Sequence, residues 1–270
     1  MNRVVLPTWY YRQFDADLSL PVPGSAYGGW KCEPLPLEPD KTALVVMHAW
    51  DAGMPEEYPG WYRAVEYLSR APKILKEIFP PLLAAVRATD MKVYHVVSES
   101  RYCKDMPGYI STLALPDAQP APVEHVARDE VWNELNRVKS ERSFPGEHNK
   151  PDIRNGFRHL AFPKEAAPID GESIAENDAQ LFALCRRDGI NHLVYAGFAV
   201  NWCLLMSPGG MLDMFRRGLM CSTLREAVTA VENRESAPSE AHKEEALWRV
   251  SIMFGMVYGV DDFIAATKRF

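Results

Sequence analysis

The sequence lacks the features that mark three broad classes of protein. No apolar run approaches the roughly 20 residues that a membrane span requires. Lys and Arg (30) are outnumbered by Asp and Glu (36), so the net charge is −6 and there is no basic stripe of the kind that binds nucleic acid. After Arg3 only three apolar residues precede Pro7, too few for the core of a signal peptide. We therefore interpret the chain as a cytoplasmic protein that binds neither membranes nor nucleic acids.

Cysteine is scarce and scattered. The five cysteines are widely spaced and form no C-x-x-C pair: Cys32, Cys103, Cys185, Cys203 and Cys221. This spacing argues against a disulfide framework and against a cysteine-rich zinc site. The useful question is whether one of these thiols lies where a reactive thiol should.

The chain divides into a proline-rich start and a longer regular part. Residues 1–40 have little periodicity, and we interpret them as an extended N-terminal arm that lies on the domain or on a neighbouring subunit, or as a loosely ordered tail. Residues 41–270 form the predicted domain, which contains a proline-rich insert at about 99–156. An insert of this length is too long for an ordinary connection, and such segments are usually lids or interface elements.

Apolar runs and helical periodicity alternate from Thr42 onward. The predicted strands are 42–48, 92–98, 157–163, 191–198 and 219–223, with one more short strand near the C-terminus. The predicted helices are 71–90, broken by its two prolines, then 129–137, a capped helix within 171–189, a segment after Cys203 that breaks at SPGG, and 239–256. This alternation predicts an α/β fold with a doubly wound, mostly parallel sheet covered by helices on both faces.

Reactive side chains follow three of these predicted strands. In parallel α/β sheets, ligands bind at the carboxyl ends of the strands. The first strand would deliver His48, Trp50 and Asp51, the strand after the insert would deliver Lys164, and a later strand would deliver Ala199, Asn201, Trp202 and Cys203. Cys203 would lie at the start of a helix, where backbone N–H groups and a nearby Lys164 favour a thiolate. Each residue alone is more often structural, but together they predict a site.

The order of these motifs resembles the isochorismatase-like superfamily, which includes nicotinamidases and N-carbamoylsarcosine amidases. The resemblance covers about residues 41–262, and its most specific stretch is INHLVYAGFAVNWC. It implies a six-stranded doubly wound sheet, with Cys203 as the nucleophile and Lys164 as the cationic member of the triad. It also implies an oxyanion hole made of the backbone N–H groups of Ala199 and Cys203, and a cis peptide bond between Phe198 and Ala199.

The sequence departs from the family at its acid. His48 occupies the position of the usual Asp, and Asp51 follows three residues later. Three alternatives remain: His48 acts as the base, Asp51 reaches into the site, or hydrolysis has been lost and a binding pocket kept. Family nicotinamidases hold zinc partly through a histidine after the second strand, but VVSESRYCKDMPGY contains none. We predict no catalytic metal and no other cofactor.

Two functions follow from this pattern. The first is a metal-independent cysteine hydrolase that cleaves the C–N bond of a small amide. The second is a catalytically altered relative that binds a small molecule or acts as an assembly subunit. A weaker third possibility is a vinyl-ether hydrolase that needs no thiol. Trp50, Trp202 and Asn201 are the predicted substrate-pocket residues, and Trp61 and Tyr62 are further candidates for its walls. Family members usually associate, so we expect a homo-oligomer.

Overall fold

A single eight-stranded sheet organises the chain. The structure, a computed structural model, describes residues 3–169 and 171–270. The strands are β1 Val4–Arg12, β2 Gly29–Leu37, β3 Thr42–Met47, β4 Lys92–Val96, β5 Ser173–Ala175, β6 His192–Phe198, β7 Met220–Thr229 and β8 Val257–Tyr258. Their order across the sheet is β2-β1-β8-β7-β6-β3-β4-β5.

Six of these strands, from β8 to β5, run parallel. From β3 the chain first builds outward through β4 and β5, and then returns to the other side of β3 to add β6, β7 and β8. The predicted doubly wound α/β fold is confirmed, with eight strands in the sheet because an antiparallel pair, β1 and β2, extends the predicted six. The winding direction reverses between β3 and β6, and in such sheets the reversal point is where ligands bind.

Helices cover both faces of the sheet. They are α1 Pro59–Ala64, α2 Ala71–Glu77, α3 Phe79–Arg87, α4 Pro107–Leu113, α5 Glu130–Arg142, α6 Lys150–Arg158, α7 Asp178–Asp188, α8 Cys203–Met206, α9 Met211–Arg216, α10 Ala241–Met253 and α11 Val260–Thr267. Within the described residues, none of these helices has the length and apolar character needed to cross a bilayer.

The core is split into two layers by the alternation of side chains along β3. Leu44 and Val46 pack into one layer with α3 and α11, whereas Ala43, Val45 and Met47 pack into the other with α7 and α10. All six residues of β3 are buried. A strand buried on both faces has no polar alternation, which is why TALVVM reads as a continuous apolar run.

The N-terminal segment joins the sheet as a hairpin. β1 pairs with β2 over its whole length and touches β8 at Trp9. Arg225 lies over the ring of Trp30, with its guanidinium carbon 5.1 Å from the ring centroid, and the Tyr11 N–H donates to the Ser251 hydroxyl at 2.6 Å. These contacts attach the hairpin to β7 and α10. The division of the chain into an arm and a domain at residue 40 stays an interpretation.

Several predicted helix breaks are found in the structure. The 71–90 helix is split at Ile78 into α2 and α3, and its two prolines lie in the first turn of α3. The helix after Cys203 ends at Met206, and α9 begins only after the SPGG segment. Proline lacks the N–H that the preceding turn needs, so each break lies where the sequence predicts it.

The predicted strand at 157–163 is wrong. Residues up to Arg158 belong to α6, which starts with Pro151 in its first turn, and Ala161 makes only an isolated bridge to Asp51. The strand that follows the insert is β5, three buried residues that the sequence pattern had placed in a helix. Lys164 therefore lies in the loop before β5 and not at the end of a sheet strand.

Candidate active site

The site lies where β3 and β6 approach each other most closely. Met47 pairs with Gly197 in the parallel register, so His48 follows β3 beside Phe198 at the end of β6. Gly197 has φ +132°, and a Cβ there would lie 1.8 Å from the Met47 carbonyl oxygen. Only glycine allows this approach, which places the ends of the two strands next to each other at the reversal point of the sheet.

Cys203 follows a sharp turn after β6. The peptide bond between Phe198 and Ala199 is cis, as the resemblance implies. The Ala199 carbonyl then accepts hydrogen bonds from the N–H groups of Trp202 (3.2 Å) and Leu204 (3.1 Å), which close the turn into α8. This turn leaves the thiol of Cys203 partly buried at the first residue of α8.

The Cys203 thiol is protonated at rest. Burial raises its pKa, and hydrogen bonding from the Ser207 side chain and from the N–H groups of Ala199 and Cys203 offsets only part of that effect. The expectation that a helix start and Lys164 would lower the pKa is therefore wrong for this conformation. The physical reason is that α8 is a single turn and that burial disfavours the thiolate.

His48 is buried and uncharged. Its side chain is stacked on Trp50, with ring centroids 4.8 Å apart, and the residue is 4% exposed. Burial lowers the pKa of His48 to about 4. Its Nδ1 has no hydrogen-bond partner among residues 3–169 and 171–270. An imidazole that is neutral at pH 7 and has an unused ring nitrogen is able to accept a proton.

Lys164 and Asp51 lie at the rim. The Lys164 side chain is 91% exposed, and its Nζ is 3.9 Å from a carboxylate oxygen of Glu165. The Asp51 N–H donates to the Ala161 carbonyl at 2.9 Å, and its carboxylate accepts from the Gly53 N–H at 3.0 Å. Neither side chain is hydrogen-bonded or ion-paired to Cys203 in the part of the chain that the structure describes.

A cavity of about 570 Å³ connects most of these residues. We call it the His48 cavity. Predicted site residues in its wall are His48, Trp50, Asp51 and Lys164. Further side chains of the wall, mostly apolar or aromatic, include Tyr62, Tyr67, Leu68, Leu75, Phe162 and Phe198. Cys203 is not part of the described wall. Burial raises the pKa of Tyr67, which is in the wall, and the Cys203 thiol adds to this effect.

Asn201 and Trp202 face a different space. They line a second cavity of about 870 Å³, bordered also by Phe144 and Met206. The Asn201 side chain bridges the backbone of Val231, donating to its carbonyl at 2.8 Å and accepting from its N–H at 2.9 Å. Trp202 is 37% exposed and contacts Phe144 edge-on. The structure thus separates these two predicted wall residues from His48.

Sequence reasoning missed Tyr67, Phe162 and Phe198. Tyr67 belongs to a short 3-10 turn at Glu66–Ser69 that follows no strand, so no periodic signal marked it. Trp61, a predicted candidate, is a core residue instead, and its ring fills the space beside Gly156. Which aromatic residues line the cavity and which belong to the core depends on packing between distant parts of the chain, which the local sequence does not reveal.

The described residues contain no group of three or more His, Cys, Asp or Glu side chains placed to hold a metal ion. The prediction of a metal-free and cofactor-free site remains a prediction.

Comparison with known proteins gives information on the fold. No protein-family model matches the chain, and no curated protein matches it. Among solved structures, a cysteine hydrolase from Pseudomonas syringae pv. phaseolicola is similar, with a TM-score of 0.52 and 16% identity over 87% of this chain and 97% of that one. An isochorismatase family protein from Burkholderia thailandensis has a TM-score of 0.48 at 16% identity, covering 86% of this chain and 97% of that one. N-carbamoylsarcosine amidase from Thermoplasma acidophilum has a TM-score of 0.43 at 13% identity, covering 82% of this chain and 97% of that one. The chain has the same fold as the cysteine hydrolase from Pseudomonas syringae.

Proposed function

We propose that this chain is a metal-independent cysteine hydrolase that cleaves a C–N bond of a small amide through a Cys203 thioester. The observation that carries the proposal is the turn after β6, which closes on the Ala199 carbonyl and places Cys203 at the start of α8, where the N–H groups of Ala199 and Cys203 favour its thiolate form. Two fixed donors beside a nucleophile are what acyl transfer requires, and one such donor is typically worth about 3 kcal/mol of barrier.

In the proposed reaction, the Cys203 sulfur attacks the amide carbonyl while its proton passes to the neutral His48. The N–H groups of Ala199 and Cys203 hold the oxyanion that forms. The C–N bond then breaks, and His48 returns the proton to the departing amine. Water, deprotonated by His48, attacks the thioester and releases the carboxylic acid, and the thiol regains its proton.

His48 is the preferred base because it lies beside Phe198 at the end of β6 and is uncharged. The register of β3 and β6 places it beside Phe198, and its pKa of about 4 leaves it able to accept a proton at neutral pH. Asp51 has a weaker claim, since its carboxylate already accepts from Gly53 at the rim. We assign Lys164 the role of a mobile cation at the mouth of the His48 cavity, where it attracts a polar end of the substrate.

A second candidate function is small-molecule binding without hydrolysis. The raised pKa of Cys203 favours it, because a protonated thiol is a poor nucleophile unless a base takes its proton during attack. The two candidate functions differ in whether His48 takes the proton of the Cys203 thiol.

The deciding experiment combines turnover with thiol reactivity. A panel of small amides is incubated with wild type, Cys203→Ala and His48→Ala, and mass spectrometry follows acylation at Cys203. We expect acylation and turnover in wild type, none in Cys203→Ala, and a loss of about 100-fold or more in His48→Ala. Cys221→Ala is the matched control, since this thiol is buried and not near the cavity wall.

Alkylation by iodoacetamide across pH is the companion measurement, in wild type, His48→Ala and Lys164→Ala. The hydrolase proposal expects His48→Ala to slow alkylation of Cys203 at neutral pH. If Cys203 reacts alike in all three proteins and no amide is turned over, the hydrolase proposal fails and the binding function is favoured.

We further propose that copies of this chain associate in the cytoplasm as a homo-oligomer. Helix α5 supports this, because none of its residues is buried, although Val131 and Leu135 form an apolar face on it. Light scattering after size exclusion tests the idea. Leu135→Glu should shift the protein to a smaller species, and Asn133→Glu, on the opposite face of the same helix, should not; an equal response would contradict a role for α5.

A further inference from the structure

Arg70 joins two parts of the candidate active site that are distant in the sequence. It directly follows the 3-10 turn Glu66–Ser69, whose Tyr67 lines the His48 cavity. From there its guanidinium reaches the end of β7, where Nε donates to the Thr229 hydroxyl at 3.0 Å and Nη2 donates to the Ala230 carbonyl at 2.8 Å. The Arg70 side chain is 24% exposed. One largely buried side chain therefore attaches this wall of the cavity to β7.

Two carboxylates hold the guanidinium in place. Glu66 accepts from Nη1 and from Nη2, the second at 2.9 Å, and a carboxylate oxygen of Glu240 lies 2.9 Å from Nε. The Thr229 hydroxyl donates to the same Glu240 oxygen at 3.2 Å. A planar guanidinium that pairs with two acceptors at once is fixed in orientation as well as in charge. Without the cation, two neighbouring carboxylates would repel each other, and the 3-10 turn would move away from β7.

The same end of β7 supports the turn that carries Cys203. The Val200 N–H donates to the Thr229 carbonyl at 2.8 Å. Val200 directly follows Ala199, whose N–H is one of the two proposed oxyanion donors. Thr229 therefore accepts from Arg70 through its hydroxyl and from the turn through its carbonyl, so a single residue links the guanidinium to the backbone that precedes the thiol.

We infer that Arg70 is a positioning residue, which fixes the turn after β6 relative to the wall of the His48 cavity. It acts through Thr229 and takes no part in bond making. Its effect on turnover rests on the proposed hydrolase function, because that function needs the Ala199 N–H at a fixed place. Its hold on the turn does not depend on that function.

Hydrogen exchange resolved to single amides tests the hold on the turn. In Arg70→Met we expect protection of the Val200 amide to fall by about 10-fold, the effect of weakening one buried hydrogen bond, while the amide of Leu44 in the centre of β3 keeps its protection. Arg225→Met is the matched control. The Arg225 side chain is 25% exposed and paired with Glu244, but it is not part of the described walls of either cavity, and its replacement should leave Val200 unchanged.

Two reagents for Cys203 test the consequence for chemistry. With 4-nitrophenyl acetate, the sulfur takes the acetyl group, the thiol proton passes to His48 and 4-nitrophenolate leaves, so the rate depends on the oxyanion donors. With iodoacetamide, the sulfur displaces iodide, the proton goes to solvent and no oxyanion forms. We expect the ratio of the acylation rate to the alkylation rate to fall by at least about 10-fold in Arg70→Met and to stay unchanged in Arg225→Met. A general loosening of the fold would change both rates together and leave their ratio unaltered.

If protection of Val200 in Arg70→Met equals that of wild type, or if Arg225→Met lowers it as much, the inference is overturned. It is also overturned if the protection falls and the rate ratio does not. Should the protection fall while wild-type Cys203 is alkylated but never acylated, the hydrolase function fails and the hold of Arg70 on the turn stands. Arg70→Lys keeps the charge but lacks the planar fork, so it should show losses in the same direction, and it replaces Arg70→Met if circular dichroism shows that variant to be unfolded.

Discussion

Replacing Gly197 by alanine should disrupt the fold and the site together. The added Cβ would lie 1.8 Å from the Met47 carbonyl oxygen, whereas ordinary contacts begin near 3.4 Å. The obstacle is backbone, so β3 and β6 must separate by about 1.5 Å, and the ladder hydrogen bonds around this pair lengthen beyond bonding distance. Alanine is also strained at φ +132°.

The expected cost is about 4 kcal/mol. Backbone strain of this kind contributes about 1–3 kcal/mol, and each lost ladder hydrogen bond adds about 1 kcal/mol. A domain of ordinary stability has only about 5–15 kcal/mol in total. Urea unfolding followed by tryptophan fluorescence measures the loss as a lower midpoint, and the product of midpoint and slope gives the free energy of unfolding.

Gly218→Ala separates strain from contact. Gly218 also has a positive φ, +90°, but nothing lies within 4 Å of the position of its Cβ. We expect a cost of about 1–2 kcal/mol there, from strain alone. If Gly197→Ala destabilises the protein no more than Gly218→Ala, the close approach of β3 and β6 is not what holds the site together.

Three further predictions concern charge. In the proposed enzyme, kcat/KM should rise with pH through about 4 as His48 loses its proton, and then stay level through neutrality; an inflection near 6.5 would contradict a buried His48. Glu172 is paired with Arg87 and hydrogen-bonded to His95, and these contacts lower its pKa to about 2. Its stabilising effect is therefore present above pH 4.5, its ordinary pKa, and is lost as the pH falls toward 2. Glu172→Gln should cost about 3 kcal/mol at pH 7, and the unfolding midpoint of this variant should depend less on pH below 4.5 than that of wild type. Arg225→Ala should cost about 1 kcal/mol by removing its contact with Trp30 and its ion pair with Glu244. Arg234→Ala, at a 93% exposed side chain, is the neutral control, and equal melting temperatures for the two variants would contradict a stabilising role for Arg225.

Local chemistry made part of the fold predictable from the sequence. β3 and β6 are runs buried on both faces, and burial on both faces leaves an unbroken apolar signal. The break after Met206 follows from proline and glycine in SPGG, and the capped start of α7 follows from Asn177, whose side chain accepts from the Gln180 N–H. In each case the determining interaction lies within a few residues along the chain.

The remaining features depend on distant contacts. β2 contains Pro34 and Pro36, which weakened its signal, but it is the edge strand of the sheet, where proline is tolerated. β5 is three residues long and is a strand only because it pairs with β4. Lys164 was predicted at a strand end because the apolar stretch FRHLAFP precedes it, yet Phe157 belongs to α6 and Phe162 lines the His48 cavity. Tyr67 reaches the site through packing on Phe198.

The same burial acts on the two proposed reacting groups in opposite directions. It lowers the pKa of His48 and raises that of Cys203, so both are uncharged at neutral pH. A pair of this kind differs from a preformed thiolate–imidazolium pair, because the proton must move during attack and not before it. The thiol would then react slowly with simple alkylating reagents and faster with a carbonyl compound held by the backbone donors. Low intrinsic thiol reactivity is therefore compatible with catalysis here, and the carbonyl dependence of that reactivity is the property that separates a hydrolase from a binding protein.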